Sequence, residues 1–306
     1  MSDASQHLTD AIAVSENGII PQIDSALQPA VKSMKGLAIT LKNTTDSDRE
    51  KVNKIINNTD MRNDARLFAQ LGNKIVTMDS MKRLAKNHKL NDEVIIFFYK
   101  CLAERDNTLA QMNNDHRRNH FFRSHFFQAL YPPNGEPTAA NYCFDGVKTW
   151  TRRVHNRNIF KLDKIFFPCF VAGHWMCIII CMQERAIMFY DSLPVTSQKD
   201  GCSFGYRYSK GLLRFLTDEW KKNHDSELPN LNQWNLTGQA NHSSTRQLGN
   251  SNCGVYTCMY ADLLSLGLPL NFNSNDVGTY REQIALEIMK HEVPPETTTT
   301  KRRKRI

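Results

Sequence analysis

The 306-residue chain has no apolar run of the roughly 18–20 residues that a membrane-spanning helix needs. Its longest strongly apolar stretch, residues 175–182, is strand-sized. Residues 1–22 lack the charged-then-apolar layout of a secretory signal, so an intracellular protein with no membrane partner is expected. None of the eight cysteines (Cys101, Cys143, Cys169, Cys177, Cys181, Cys202, Cys253 and Cys258) forms a C-x-x-C pair. That argues against a structural metal site, and a reducing compartment argues against a disulfide framework. A basic face for nucleic acid is also missing from the sequence. Lys301, Arg302, Arg303, Lys304 and Arg305 supply five of the net +8 charges, which leaves +3 for the remainder. This tail reads equally as a nuclear-import signal or as a solvated end; otherwise the location expected is cytoplasmic. No internal repeat is visible.

What is present is an ordinary globular composition, with 41% hydrophobic and 23% charged residues. Residues 1–73 read as a polar N-terminal extension, partly helical or disordered, with weak helical periodicity over 23–41. Residues 74–292 read as the folded domain and 293–306 as a flexible basic tail. Within the domain, 74–77 predicts a strand, and Asp79 is placed to cap a brief helix reaching Leu84. Val94, Ile95, Phe98 and Leu102 mark the apolar face of a helix starting at Asn91 or Asp92. A turn follows at 131–135, then a helix over 143–153 carrying Val147 and Trp150. Strands over 175–182 and 186–190, joined by Gln183-Glu184-Arg185, predict an antiparallel hairpin. Helices over 211–220, 253–266 and 279–289 complete an α+β pattern.

Two places carry chemistry. His174 precedes the first hairpin strand and Asp191 follows the second, so both fall at the hairpin's open end. A carboxylate beside an imidazole fixes its tautomer and stabilises its cation, as a general base requires. Taken singly, each is equally a polar residue ending a strand. The second place is Gln247-Leu-Gly-Asn-Ser-Asn-Cys253-Gly254, followed at once by an apolar helical pattern. A cysteine at a helix N-terminus meets the positive end of the dipole, which lowers its thiol pKa. A neighbouring imidazolium lowers it further. The first helical amides and the Gln247 side chain can face a developing oxyanion, while Gly254 permits close backbone approach. The cysteine alone reads as well as a packed thiol; the combination of the two places distinguishes it.

Gly173-His174-Trp175, Phe189-Tyr-Asp191-Ser-Leu193 and Gln247-x5-Cys253-Gly-Val255 together resemble the signature blocks of the ubiquitin-like-modifier (SUMO/sentrin-specific, Ulp-type) cysteine proteases. Thr77-x-Asp79, Leu90-Asn-Asp92-Glu-Val-Ile95 and Lys161-Leu-Asp-Lys-Ile-Phe-Phe-Pro168 resemble that family as well. The resemblance implies a papain-like cysteine protease fold, α+β with a central antiparallel or mixed sheet flanked by helices. It implies Cys253 as nucleophile, His174 as general base, Asp191 as orienting carboxylate and Gln247 as oxyanion donor. Trp175 would roof a narrow tunnel for a Gly-Gly tail, Lys89 and Gly254 would belong to the substrate-binding surface, and Asp92 would contact the modifier's body. No cofactor or metal is implied, and a monomer is expected. The substrate implied is a ubiquitin-like modifier of SUMO type, cleaved after its C-terminal Gly-Gly in deconjugation or precursor maturation. Three positions depart from the family pattern: Lys89 stands where a tail-clamping Trp is usual, Asn252 replaces an Asp, and Gly249-Asn250 reverses an Asn-Gly pair. Other readings of these residues are a viral- or transposon-type maturation protease cleaving polyproteins, a catalytically silent modifier-binding module and an acetyltransferase using the same triad logic.

Overall fold

Three apolar strands form the centre of the molecule. The computed structural model describes residues 45–57, 64–138, 140–193, 204–237, 246–270 and 272–294. β4 (Lys164–Val171), β5 (His174–Cys181) and β6 (Ala186–Tyr190) make an antiparallel meander, with Val171 opposite His174 and Cys181 opposite Ala186. Two short strands, β3 (His120–Phe121) and β7 (Asn235–Leu236), add in parallel at the edges to give the order β3-β4-β5-β6-β7. The sheet is covered on both faces, which explains why Ile178, Ile179 and Ile180 run consecutively without alternation. Each such side chain contributes about 1.5–3 kcal/mol of burial free energy.

On one face lie α3 (Asp92–Met112), α6 (Cys253–Ser265) and α7 (Val277–Met289), packed with Phe166, Cys177 and Ile179. α6 is sandwiched between β5 and α3, and Val255, Tyr256, Cys258, Met259 and Ala261 are all buried, as befits a helix apolar on every side. The other face is an aromatic layer in which Phe126, Phe167, Phe215 and Tyr208 pack with α4 (Phe126–Leu130) and α5 (Phe204–His224). Asn91 caps α3, its Oδ1 accepting from the Val94 amide at 3.2 Å.

The differences from the sequence expectations have local causes. α1 (Asp46–Ile56), β1 (Leu67–Leu71), β2 (Lys74–Thr77) and α2 (Met78–Lys82) are packed onto the domain. Val52 of α1 is fully buried and β1 pairs with β2, so ordered structure begins upstream of the expected boundary at residue 74. The periodic stretch 23–41 and the basic tail lie outside the described residues. α2 is capped by Thr77, not Asp79: Thr77 Oγ1 accepts from the Ser80 amide at 3.3 Å. The helix expected over 143–153 is instead a series of 3₁₀ turns (Phe144–Gly146 and Trp150–Arg153); the i, i+3 spacing of Val147 and Trp150 fits either geometry. β4 had no counterpart among the expected strands. α5 is longer than its apolar centre suggested.

Candidate active site

The strand register accounts for the histidine–carboxylate pair. β4 and β5 are joined by the two-residue turn Ala172-Gly173, both with positive φ (50° and 79°), as a twist-matched hairpin turn requires. This turn starts β5 at His174. Cys177 is opposite Tyr190, so continuing the ladder sets Asp191 against Met176, the same-face neighbour of His174. The His174 Nε2–Asp191 Oδ1 distance is 2.6 Å, and Asp191 Oδ1 also accepts from the Leu193 amide at 2.9 Å. With Nε2 engaged, the remaining ring nitrogen is the one left for the Cys253 thiol, which is hydrogen-bonded to this imidazole.

Cys253 is the first residue of α6 and is buried. Burial alone pushes its thiol up. The His174 hydrogen bond, the Trp175 and Gly254 amides and the imidazolium charge outweigh that and bring it below its ordinary value. For His174, burial pushes down, but the hydrogen bonds to Asp191 and Cys253 and their charges hold it at about 9. Both shifts favour a thiolate–imidazolium pair at neutral pH. Other buried cysteines behave oppositely: burial pushes Cys101 and Cys177 up to about 12.

Gln247 is buried, and its amide is oriented from two sides. Ser192 Oγ donates to Oε1 at 2.8 Å and Nε2 donates to the Gly249 carbonyl at 2.7 Å. This leaves a second N–H on Nε2 for a reacting oxygen. The Gln247 amide also donates to the Ser192 carbonyl at 2.9 Å. Adjacent residues Asp191 and Ser192 therefore orient the imidazole and the amide donor, respectively. Ser192 was legible only as part of a sequence block, because a serine side chain alone does not reveal its partner.

Arg281 of α7 was not anticipated. Its buried guanidinium donates to the carbonyls of Arg83, Ala85, His88 and Ser251 and to Asn252 Oδ1, at 2.7–3.3 Å. It ties the loop before α3 to the loop that leads into Cys253. No carboxylate partners it among the described residues, and burial pushes it down to about 10 while Cys253 pulls it back up.

The remaining sequence candidates divide. Trp175 is buried, donates from Nε1 to the Leu90 carbonyl at 3.2 Å and packs on the half-exposed Phe170 ring. Lys89 Nζ lies 3.5 Å from the Gly173 carbonyl, at the rim beside His174. Asp92 is exposed in the first turn of α3. At Gly254 a Cβ would lie 2.9 Å from Leu90 Cβ and 3.1 Å from Ile95 Cδ1, so its smallness also serves helix packing. Leu248, exposed beside Gln247, was not singled out by sequence. Among the described residues no three His, Cys, Asp or Glu side chains converge as a metal site, and no helix is long and apolar enough to cross a membrane.

Known proteins are similar to this chain in sequence and fold. The family model for the Ulp1 protease family, C-terminal catalytic domain, matches residues 88–293. Human sentrin-specific protease 2 is 29% identical over 218 residues, covering 71% of this chain and 33% of that protein. A putative ubiquitin-like-specific protease 1B of Arabidopsis thaliana is 25% identical over 216 residues, covering 70% of this chain and 58% of its own. The chain thus spans about a third of the length of the sentrin-specific protease 2 it matches. The X-ray structure of the C-terminal Ulp1 protease domain in complex with Smt3, the yeast ortholog of SUMO, superposes with a TM-score of 0.61 and 25% identity, covering 81% of this chain and 96% of that one. The papain-like α+β fold expected from the sequence is the fold of these neighbours. With its family match running from the loop before α3 to the end of α7, the chain belongs to the Ulp1 protease family.

Proposed function

We propose that this chain is a thiol peptidase that hydrolyses the bond after the C-terminal glycine of a SUMO-type modifier. The observation that carries the reading is the Cys253–His174–Asp191 chain at the α6 N-terminus with Gln247 beside it. In this reading the Cys253 thiolate attacks the glycine carbonyl, and the oxygen takes up negative charge against the free Gln247 N–H and the first α6 amides. The His174 imidazolium gives its proton to the departing amine as the C–N bond breaks, leaving a thioester. His174, now neutral, takes a proton from water, the hydroxide adds to the thioester, and the thiolate leaves.

The modifier class is supported by the names of the relatives and by the Smt3 complex of the yeast neighbour. The surface also suits a glycine tail. Trp175, held to the Leu90 carbonyl, forms a wall with Phe170, and a channel of that kind accepts residues without side chains and rejects others. Lys89 at the rim makes the clamp polar where an aromatic is usual. Asp92 and Leu248 are exposed for contact with the modifier's folded body.

The test is a panel of purified modifiers with C-terminal vinyl-ester groups, scored for adducts with wild-type and Cys253→Ala protein. A SUMO-type adduct lost in the variant is expected. Adducts with another modifier only would overturn the substrate assignment, and no adduct with any would overturn the assignment of a modifier-specific peptidase. Cleavage of Gly-containing peptides without any modifier adduct would point to a polyprotein-maturation enzyme.

A further inference from the structure

Away from the peptidase centre, the fold gathers cations that the sequence scatters. A cleft of about 570 Å³ is lined by Lys100, Arg118, Asn119, Arg123, Trp150 and Arg153, among others, and no acidic side chain lines it. β3 runs along it, pairing with β4 at Ile165 and Phe166, near the end of the sheet away from the Val171–His174 turn. Two of its cations are neutralised locally: Lys100 by Glu104 and Arg118 by Asp106. Arg123 and Arg153 have no carboxylate partner among the described residues, and neither does Lys74 on β2. Arg123 is instead stacked over Trp150, its guanidinium carbon 5.3 Å from the ring centroid. Burial pushes the Lys74 ammonium down, and the charges of Arg123 and Arg153 push it further.

Bringing Arg123 and Arg153 to one cleft without a carboxylate costs free energy that the Arg123–Trp150 contact offsets only in part. A second sign lies deeper. Asn119 is buried, with Nδ2 donating to Asp106 and to the Ser265 carbonyl, yet its Oδ1 has no partner. An ordered water between Asn119 and the cleft would satisfy that acceptor. We infer that this cleft binds a compact phosphorylated ligand, a phosphate ester of a polyol or a nucleotide. Arg123 and Arg153 would engage phosphate oxygens through their planar forks, with Lys74 adding charge. Lys100, Arg118, Arg123 and Arg153 line a single cleft, which favours a compact anion over a nucleic-acid strand.

Calorimetric titration of the full chain with inositol hexakisphosphate and with ATP, against sodium sulfate, tests the inference. Micromolar binding that weakens with salt is expected, falling about tenfold or more in Arg123→Gln/Arg153→Gln. Tighter binding of the inositol phosphate would assign the polyol source, and tighter ATP binding the nucleotide source. The double variant should alkylate at Cys253 at the wild-type rate and keep or raise its ligand-free Tm, because repulsion is relieved. Affinity no better than sulfate, or unchanged in the double variant, would overturn the site. A short single-stranded oligonucleotide binding more tightly than either small ligand would overturn the compact-ligand assignment.

Discussion

Asp191→Asn keeps the shape of the group facing His174 but removes its charge. In the wild type the imidazole is held at about 9 against an ordinary 6.5, a difference worth about 3 kcal/mol in favour of the cation. Burial opposes this, and Asp191 and Cys253 share the favourable part, so removing the carboxylate charge should forfeit about half, roughly 1.5–2 kcal/mol. The amide can also donate to Nε2, which would place the ring proton on the nitrogen facing the thiol, the wrong tautomer for accepting one. Together these predict a loss in kcat/KM on the order of 10²-fold. The pH profile is the sharper readout. Active enzyme is the thiolate–imidazolium pair, present above the lowered Cys253 pKa and lost as pH rises through about 9. In Asp191→Asn the alkaline limb should move down by about one pH unit or more, and the acid limb should move up because the thiolate loses part of its counter-ion. The rate of Cys253 alkylation by iodoacetamide across pH measures the same pair without any modifier substrate. An alkaline limb unmoved in both assays would refute the argument that Asp191 holds the imidazole charged.

Ser192→Ala leaves Gln247 Oε1 buried without its donor, and should lower kcat about tenfold with KM unchanged; Gln247→Ala should cost on the order of 10²–10³-fold in kcat. Steady-state kinetics on a modifier conjugate separates the two parameters, and a change in KM alone would refute the positioning role. Arg281→Met strips its donor from four carbonyls and Asn252, with an expected loss of about 3–5 kcal/mol in denaturant unfolding, while Arg281→Lys recovers part of it. Asn252→Asp gives that guanidinium a carboxylate partner; Tm should rise and the Cys253 alkylation pKa should rise with it, because a negative charge now adjoins the thiolate. Lys89→Trp should lower KM for a Gly-Gly-terminated modifier about threefold or more by restoring an aromatic contact at the rim, and an unchanged KM would remove Lys89 from the tail-binding surface.

Much of the candidate site was legible because its signals are local. A histidine before one strand and an aspartate after the next must share the open end of their hairpin. A cysteine followed by glycine and an apolar helical pattern must begin that helix. The less visible parts depend on partners distant in sequence. Ser192 and Arg281 act through Gln247 and Asn252, respectively 55 and 29 residues away. The packing of Leu90 and Ile95 against Gly254 is likewise visible only in the fold. The early boundary was missed because α1 is short and mostly polar, with only Val52, Ile55 and Ile56 to signal packing.

The sequence by itself determined the α+β pattern, the hairpin that pairs His174 with Asp191 and the helix that begins at Cys253, because periodicity, turn chemistry and capping act over a few residues. Tertiary structure alone decided the ionisation of the thiol–imidazole pair, since burial and hydrogen bonding set its balance only once α6 packs against β5. It also decided where the charge lies. Lys74, Arg123 and Arg153 are scattered along a chain whose obvious basic cluster is its tail, and only the folding of β2, the loop after β3 and the 3₁₀ turns brings them within Coulombic reach.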